Sequence, residues 1–357
     1  IDLASLVYTS GSTGKPKGVT LTHQNIVSNT KSIVEYLEIT SSDRIMVVLP
    51  FYYIYGKSLL NTHFYAGGSV VMDNRFAFPN SVLDTMKKTE VTGFSGVPST
   101  FMILLNRSTL HDQKFPSLRY VTQAGGAMAP SIQKKVVEEF APAKLYIMYG
   151  ATEASARLSY LHPDHLTKKW GSIGKAIPNV DLYIADELGE PKPPNTEGEI
   201  VARGSNLMQG YWNDLDGTKK VLRNGLYYTG DIGYMDEEGF LFVIGRTKDI
   251  IKVGGERVSA KEIEEAILQL KNVREVAVIG VADEILGEAA KAYVALQSAN
   301  GITELDIKTH CKKKLPLYKN PKLIENIDDL PKNKSGKILK NKLKERNTKS
   351  ITTDSKV

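Results

Sequence analysis

Cysteine and long apolar runs are scarce in this sequence, and each absence excludes a class of protein. Cys311 is the single cysteine among 357 residues, so no internal disulfide can form, and a reducing compartment suits such a chain. No stretch approaches the roughly 20 apolar residues that span a bilayer. The opening residues, IDLASLVYTS, lack the basic and apolar parts of a secretion signal. We therefore expect a cytoplasmic protein without a membrane span.

Aromatic residues are absent from the most basic part of the chain. Between Lys332 and Lys349 there are eight Lys or Arg against one acid, Glu345. Stacking on nucleic-acid bases needs aromatic side chains, and this stretch has none. A solvated face or a frayed terminus is the more frequent explanation of such a charge run. We therefore expect no nucleic-acid partner.

The order of the apolar patterns indicates the fold class. Helical and strand-like segments alternate up to Gly150, which predicts an α/β layer with a largely parallel sheet. From Trp170, short strand-like runs joined by Gly and Pro turns predict an antiparallel β subdomain. After Arg246, an amphipathic helix with Ser259 as its N-cap, two strands and a second helix predict a small α+β unit.

The length allows two domains with a sizeable core. We predict a large, mixed α/β N-terminal domain over residues 1–245, truncated at its start, and a hinge over 246–248. A small, mobile α+β C-terminal domain follows over 249–345, and a disordered tail over 346–357.

A glycine-rich stretch, YTSGSTGKPKG, opens the chain between two strand-like runs. Its glycines let backbone N–H groups turn inward around an anion, and its hydroxyls and lysines add donors and charge. It is not a Walker A loop, because the glycine spacing differs and Pro16 stands where a hydroxyl would hold Mg²⁺. By itself it is either a phosphate cradle or a mobile hairpin tip.

Four later stretches carry chemistry-bearing side chains, although each has an ordinary structural explanation. MYGATEAS offers a carboxylate suited to Mg²⁺ or to the first turn of a helix. In YTGD, Asp231 lies in a predicted turn and suits a ribose diol. GRTKD ends a strand at the predicted domain boundary, and PKNKSGK presents Lys337 in a predicted exposed loop. A further glycine pair, in KVGGERV, also reads as a plain hairpin turn.

Together these stretches resemble the AMP-forming acyl-adenylating enzymes, which include acyl-CoA synthetases, peptide-synthetase adenylation domains and luciferases. YTSGSTGKPKG resembles their phosphate loop, YGATE their adenine and magnesium motif, and YTGD their ribose motif. GRTKD is similar to their interdomain hinge and PKNKSGK to their catalytic-lysine loop. All five occur in family order over residues 8 to 337.

The resemblance implies a ligase that uses ATP, Mg²⁺ and coenzyme A, in fatty acid metabolism or a related pathway. A carboxylic acid would attack the α-phosphorus of ATP, giving acyl-AMP and pyrophosphate, and a thiol would then displace AMP. The alternatives are transfer to the phosphopantetheine of an acyl carrier protein, or a non-catalytic fragment that binds adenylate.

The resemblance also implies roles for the matching residues. The β- and γ-phosphates would be held by Thr9, Ser10, Gly11, Ser12, Thr13, Gly14 and Lys17. Adenine would lie between the Tyr149–Gly150 pair and the backbone of Gly125, Gly126 and Ala127. Three catalytic positions follow: Thr152 at the α-phosphate, Glu153 at Mg²⁺, and Lys337 at the α-phosphate and the attacking carboxylate.

Further roles concern the ribose, the hinge, the thiol and the acid. Asp231 would take the ribose hydroxyls, helped by Arg246. The small domain would swing about Lys248, so that Gly254 and Gly255 line the path of the thiol. The acyl pocket would be lined by Tyr53, Ser95, Gly96, Val97, Gln123 and Ala124. Because no Asp lies in these stretches, we expect a mostly uncharged acyl or aryl acid.

The position of the phosphate loop departs from the family pattern. Family members have well over a hundred residues before this loop, whereas here it begins at Tyr8, and the chain does not begin with Met. We expect a piece of a longer enzyme that binds adenylate but has low activity.

Overall fold

The computed structural model describes most of the chain, namely residues 1–9, 16–297, 301–333, 336 and 338–354. Contacts divide the chain into two compact units, Ile1–Val243 and Ile244–Val357. Within the described ranges, no helix combines the length and the apolar character that a membrane crossing requires.

The first unit alternates strands and helices along most of its length. Its strands are β1 (Leu3–Thr9), β2 (Lys17–Thr22), β3 (Arg44–Val47), β4 (Ser69–Met72), β5 (Gly93–Gly96), β6 (Tyr120–Gln123), β7 (Lys144–Tyr149), β8 (Ser159–Leu161), β9 (Ser172–Ala176), β10 (Val180–Ala185), β11 (Gly198–Gly204), β12 (Gly210–Tyr211), β13 (Leu222–Arg223), β14 (Leu226–Met235) and β15 (Leu241–Arg246), the last continuing past the division. Its helices are α1 (His23–Leu37), α2 (Ile54–Tyr65), α3 (Pro79–Lys88), α4 (Pro98–Arg107), α5 (Pro130–Phe140), α6 (Pro163–Leu166) and α7 (Leu215–Val221).

One large sheet forms the frame of this unit. Among the described residues it has twelve strands, in the order β10-β11-β14-β15-β9-β8-β7-β6-β5-β3-β4, with β13 paired to β14. Strands β4, β3, β5, β6 and β7 are parallel, which confirms the α/β prediction. The antiparallel strands expected after Trp170 continue this same sheet.

Register places the ends of three parallel strands side by side. Gly96 at the end of β5 pairs with Gln123 at the end of β6, and Gln123 pairs with Ile147 of β7. Carboxyl ends of parallel strands are the usual place for ligands in such sheets. The segments that follow these strands include the Gly-Gly-Ala stretch and YGATE, so the fold gathers them along one edge.

A second, small sheet carries the start of the chain. It has the order β1-β2-β12 and is antiparallel, with Thr9 opposite Lys17 and Tyr211 opposite Val19. Thr22 caps α1 through a capping box, as its position before His23 predicts. Tyr211 is thereby held next to the strand that follows the glycine-rich loop.

The second unit is a small α+β domain. Its strands are β16 (Ile250–Val253), β17 (Glu256–Ser259), β18 (Val273–Asp283), β19 (Gly287–Leu296) and β20 (Leu323–Asn326), and its helices are α8 (Ala260–Ile267), α9 (Glu304–Lys314) and α10 (Lys340–Asp354). Ser259 caps α8, as predicted. The helix α10 continues past Glu345, where the sequence predicts a disordered tail, so for residues 346–354 the helix replaces that expectation. Residues 355–357 lie outside the described part.

Candidate active site

The wall of the proposed acyl pocket is built by β5, β6 and the start of α2. Ser95 and Gln123 are almost fully buried, and Ser95 Oγ lies 2.6 Å from Oγ1 of Thr122. Gln123 Nε2 donates to the carbonyl oxygen of Gly126 over 2.8 Å. Gln123 therefore ties the end of β6 to the Gly-Gly-Ala turn that follows it.

Tyr53 lies directly against that turn. Gly125 has φ +84°, and a Cβ at this position would clash with the Tyr53 hydroxyl and crowd the side chain of Val97. Burial raises the pKa of Tyr53, so its hydroxyl stays protonated at neutral pH. A glycine is thus required at position 125 both by backbone conformation and by close approach.

The Tyr149 hydroxyl donates a hydrogen bond to Oδ2 of Asp231 over 2.6 Å. Tyr149 is the last residue of β7 and is partly buried, whereas Asp231 is only 6% exposed. The predicted adenine and ribose residues are therefore in direct contact.

Asp231 does not lie in a turn, and that prediction is wrong. It belongs to β14, next to Gly230 at φ +73°, where the register against β11 shifts. The Gly230 N–H donates to Oε1 of Glu199 over 2.8 Å. A bulge of this kind changes the direction of a side chain without ending the strand. Because glycine is common both in bulges and in turns, the sequence alone suggested a turn here.

Glu153 lies on the short 3-10 helix Thr152–Ala154, directly after β7. Its Oε1 accepts a hydrogen bond from the Tyr211 hydroxyl over 2.7 Å. The Nζ of Lys17 lies 4.5 Å from the Tyr211 ring centroid and 3.1 Å from Oδ2 of Asp214. Tyr211 thus connects the lysine of the glycine-rich stretch with the carboxylate of YGATE.

Two positioning residues escaped the sequence analysis. Tyr211 is 58 residues from Glu153, and no spacing pattern marks it. Asn206, 1% exposed, donates from Nδ2 to the carbonyls of Ala154 and Arg157, and its own carbonyl accepts from Ser155 Oγ. In the sequence it is marked only by a polar Asn directly before two apolar residues in GSNLM.

The close packing at Gly150 fixes the start of this turn. A Cβ on Gly150 would clash with the carbonyl of Ala156. Ser155 and Ala156 both have positive φ, which brings the chain back beneath the end of β7. The YGATE turn is therefore held by backbone contacts as well as by Asn206.

In the second unit, the site residues lie on or near β15 and the β16–β17 hairpin. Arg246 is the last residue of β15, and Lys248 is exposed in the 3-10 helix Thr247–Asp249. Gly254 and Gly255 have φ of +59° and +92° and form the two-residue turn of the hairpin, as the ordinary structural explanation predicts.

Some predicted residues cannot be placed. Thr9 and Lys17 border the glycine-rich loop and pair across β1 and β2. The residues between them from Ser10 to Gly14, and also Lys337, lie outside the described residues. In the part of the chain that the structure describes, no group of three or more His, Cys, Asp or Glu is arranged to hold a metal ion.

Two family models match the chain. The model of the AMP-binding enzyme family matches residues 1–212, and that of the AMP-binding enzyme C-terminal domain matches residues 262–337.

Among curated relatives, the long-chain-fatty-acid–CoA ligase of Bacillus subtilis is 35% identical over 355 residues, which are 98% of this chain and 62% of the relative. Oxalate–CoA ligase of Arabidopsis thaliana is 36% identical over 342 residues, covering 94% and 66%. This chain therefore spans less than two thirds of the length of either relative.

Solved structures are similar to this chain over nearly its whole length. An o-succinylbenzoate CoA synthetase from Bacillus subtilis, in complex with its acyl-adenylate intermediate, has TM-score 0.87 and 34% identity, covering 96% of this chain and 69% of that one. MatB from Rhodopseudomonas palustris, bound to ATP, has TM-score 0.89 and 32% identity, covering 97% and 68%. With the motif order and the gathered strand ends, these matches establish that the chain belongs to the AMP-binding enzyme family.

Proposed function

We propose that this chain activates a carboxylic acid as its acyl-adenylate, with release of pyrophosphate, and passes the acyl group to the thiol of coenzyme A. The observation that carries the proposal is the contact between Tyr149 and Asp231, at the end of the strand that pairs with β6, after which the Gly-Gly-Ala turn follows. The relatives' names support it, since they are CoA ligases for fatty acids, oxalate and 2-succinylbenzoate.

The nucleotide would bind at the edge where β6, β7 and β14 present these groups. Tyr149 would stack on adenine, with Gly150 beside it, and the exposed backbone of Gly126 and Ala127 would face the other side of the base. Asp231 would accept hydrogen bonds from the ribose hydroxyls, with Arg246 as a second contact. Because Asp231 is buried and hydrogen-bonded to Tyr149, its orientation is set before any ligand arrives.

The donor set at Glu153 fits Mg²⁺. Mg²⁺ usually takes one or two carboxylates and completes its shell with substrate phosphates and water, and Glu153 is a partly exposed carboxylate that accepts a hydrogen bond from Tyr211. Bound there, Mg²⁺ would neutralise phosphate charge. Tyr211 holds the carboxylate in place, and Lys17 adds positive charge on the same side.

Catalysis would rest on positive charge aimed at the reacting phosphate. Thr152 would donate to the α-phosphate, and Lys337 would bring an ammonium group to the α-phosphate and the attacking carboxylate. Thr9, Lys17 and the loop from Ser10 to Gly14 would hold the β- and γ-phosphates. One well-placed donor of this type typically lowers a barrier by about 3–4 kcal/mol.

The second half-reaction would use the other face of the small unit. Thiolysis of acyl-AMP does not need Lys337, so a rotation about Lys248 would replace that lysine by the Gly254–Gly255 turn. A Cβ on Gly255 would meet no atom within 4 Å, which leaves the turn open on that side. The acid itself would lie against Tyr53, Ser95, Gly96, Val97, Gln123 and Ala124.

The test is acid-dependent exchange of pyrophosphate into ATP over a panel of carboxylic acids, followed by thioester formation with coenzyme A or with a phosphopantetheinylated carrier protein. We expect exchange with at least one acid, and thioester with coenzyme A. Thioester formation with the carrier protein but not with coenzyme A would instead support the alternative, in which the enzyme loads a carrier protein. Adenylate binding without exchange for any acid would refute the enzymatic proposal.

A further inference from the structure

Arg157 is a buried cation next to the candidate site that the proposed mechanism leaves unused. It follows the YGATE turn directly and is only 3% exposed. Its guanidinium carbon lies 4.0 Å from the centroid of the Tyr55 ring. Nε donates to Sδ of Met148 over 3.4 Å, and Nη1 donates to the carbonyl of Ala156 over 3.0 Å.

All of these partners are uncharged. In the part of the chain that the structure describes, no ion pair includes Arg157. The phenols of Tyr36, Tyr53 and Tyr55 face it: burial raises the pKa of each, and the nearby Arg157 charge opposes that rise. Buried arginines are nearly always paired with an anion, because an unpaired charge loses its hydration without compensation.

The cation adjoins the wall of the proposed acyl pocket. The Tyr55 hydroxyl lies 2.7 Å from Oγ1 of Thr122, which in turn lies 2.6 Å from Oγ of the pocket residue Ser95. Tyr53, a second pocket residue, contacts Tyr55 edge to face with ring centroids 6.3 Å apart. Arg157 therefore lies against Tyr55, which is linked to the pocket residue Ser95 through Thr122 and contacts the pocket residue Tyr53.

We propose that Arg157 is a specificity-determining residue that pairs with a second carboxylate of the substrate, so that the acid is a dicarboxylic acid. This inference rests on the proposed function. One carboxylate reacts with ATP, and the other supplies an anion that none of the described residues supplies. Arginine suits this task because its planar guanidinium binds a carboxylate through two parallel hydrogen bonds. The inference replaces the uncharged acid expected from the sequence.

The experiment compares matched acids by pyrophosphate exchange. Straight-chain monocarboxylic acids are each paired with the dicarboxylic acid of the same carbon number, and benzoate is paired with phthalate. We expect the best dicarboxylic acid to exceed its partner in kcat/KM by about 100-fold, the scale of a buried charge pair. Arg157→Met should remove this preference and leave monocarboxylic acids unchanged or faster, while Arg157→Lys should retain part of it.

The control is Arg203→Met, which removes an exposed arginine on β11 and should leave both acid classes unaffected. AMP affinity and thermal unfolding show whether each variant is folded. If Arg157→Met does not fold, the preference of the wild type for dicarboxylic acids still tests the inference. Equal rates for both acid classes in the wild type, or an unchanged preference in Arg157→Met, would overturn the inference while the proposed function stands. Absence of exchange with every acid would instead refute the proposed function, and this inference with it.

Discussion

The hydroxyl of Tyr149 donates a 2.6 Å hydrogen bond to Oδ2 of Asp231, although 82 residues separate them. Tyr149 ends the parallel strand β7, and Asp231 lies on the bulged antiparallel strand β14. The two strands belong to the same sheet but are not neighbours in it. This contact joins the residues proposed for adenine and for ribose, and it orients a buried carboxylate.

Replacement of Tyr149 by Phe tests this contact. The ring is kept for stacking, but Asp231 loses a donor, and a hydrogen bond to a charged group is worth about 1.5–3 kcal/mol. We expect AMP affinity, measured by calorimetry, to fall by about 10-fold or more. Tyr65→Phe, an exposed tyrosine at the end of α2, should leave it unchanged. An unchanged AMP affinity in Tyr149→Phe would show that the hydrogen bond to Asp231 does not contribute to nucleotide binding.

Replacement of Tyr211 by Phe tests the support of Glu153. The ring still faces Lys17, but Oε1 of Glu153 loses its donor. We expect the magnesium concentration for half-maximal exchange to rise by about 10-fold, the scale of one hydrogen bond to a carboxylate. Tyr183→Phe on β10 is the control. If Tyr211→Phe changed the free energy of unfolding but not the magnesium dependence, Tyr211 would stabilise the fold without supporting Glu153.

A comparison of two glycines with similar φ distinguishes two effects of a substitution by Ala: backbone strain, and a clash between the new Cβ and a neighbouring side chain. Gly125 and Gly225 have φ of +84° and +76°, but only at Gly125 would a Cβ clash, with the Tyr53 hydroxyl. Gly225→Ala should cost about 1–2 kcal/mol of unfolding free energy through φ alone. Gly125→Ala should cost more in urea unfolding and should also weaken AMP binding. Equal effects of the two changes would contradict the proposed contact.

His63 makes stability depend on pH. It is 1% exposed; Nδ1 donates to the carbonyl of Leu59 over 2.9 Å, so Nε2 accepts from the Tyr120 hydroxyl over 2.9 Å. Burial lowers its pKa below the usual 6.5; Arg119 adds to this, while the Leu59 hydrogen bond and Asp43 oppose it. The unfolded chain therefore binds a proton at a higher pH than the folded chain does.

The sign follows from proton linkage. His63 contributes its full stability above pH 6.5 and loses it as the pH falls below that value, by at most about 1.4 kcal/mol per pH unit. We expect His63→Gln to be less stable than the wild type at neutral pH but to lose less stability on acidification. Urea unfolding at several pH values checks this, with the exposed His111→Gln as control. Parallel pH curves for wild type and His63→Gln would contradict it.

Much of the fold follows from local sequence patterns. Alternation of apolar segments predicted the parallel strands, and Thr22 and Ser259 predicted two helix starts, because capping and periodicity act over a few residues. The helix α2 was not predicted, because its buried face includes the polar residues Ser58, Thr62 and His63, so no apolar stripe marks it in the sequence. The strand at Asp231 was mistaken for a turn, because a bulge glycine and a turn glycine look alike in sequence.

The residues of the candidate site were predictable only where a sequence motif includes them. Tyr149, Glu153 and Asp231 were found through family motifs, whereas Tyr211, Asn206 and Arg157 were not. These three act through contacts between distant segments, such as the pairing of β12 with β2. A lone Arg among apolar residues in ASARLSYL was the available clue to a buried cation, but its neighbours become known only from the fold.

The most direct test of the account is acid-dependent pyrophosphate exchange by the chain, compared with its Lys337→Ala variant at equal AMP affinity. The account predicts that at least one carboxylic acid drives exchange into ATP, and that Lys337→Ala reduces this rate by about 100-fold or more while AMP still binds. Exchange that needs no acid, or that never exceeds the rate of Lys337→Ala with any acid, would contradict it.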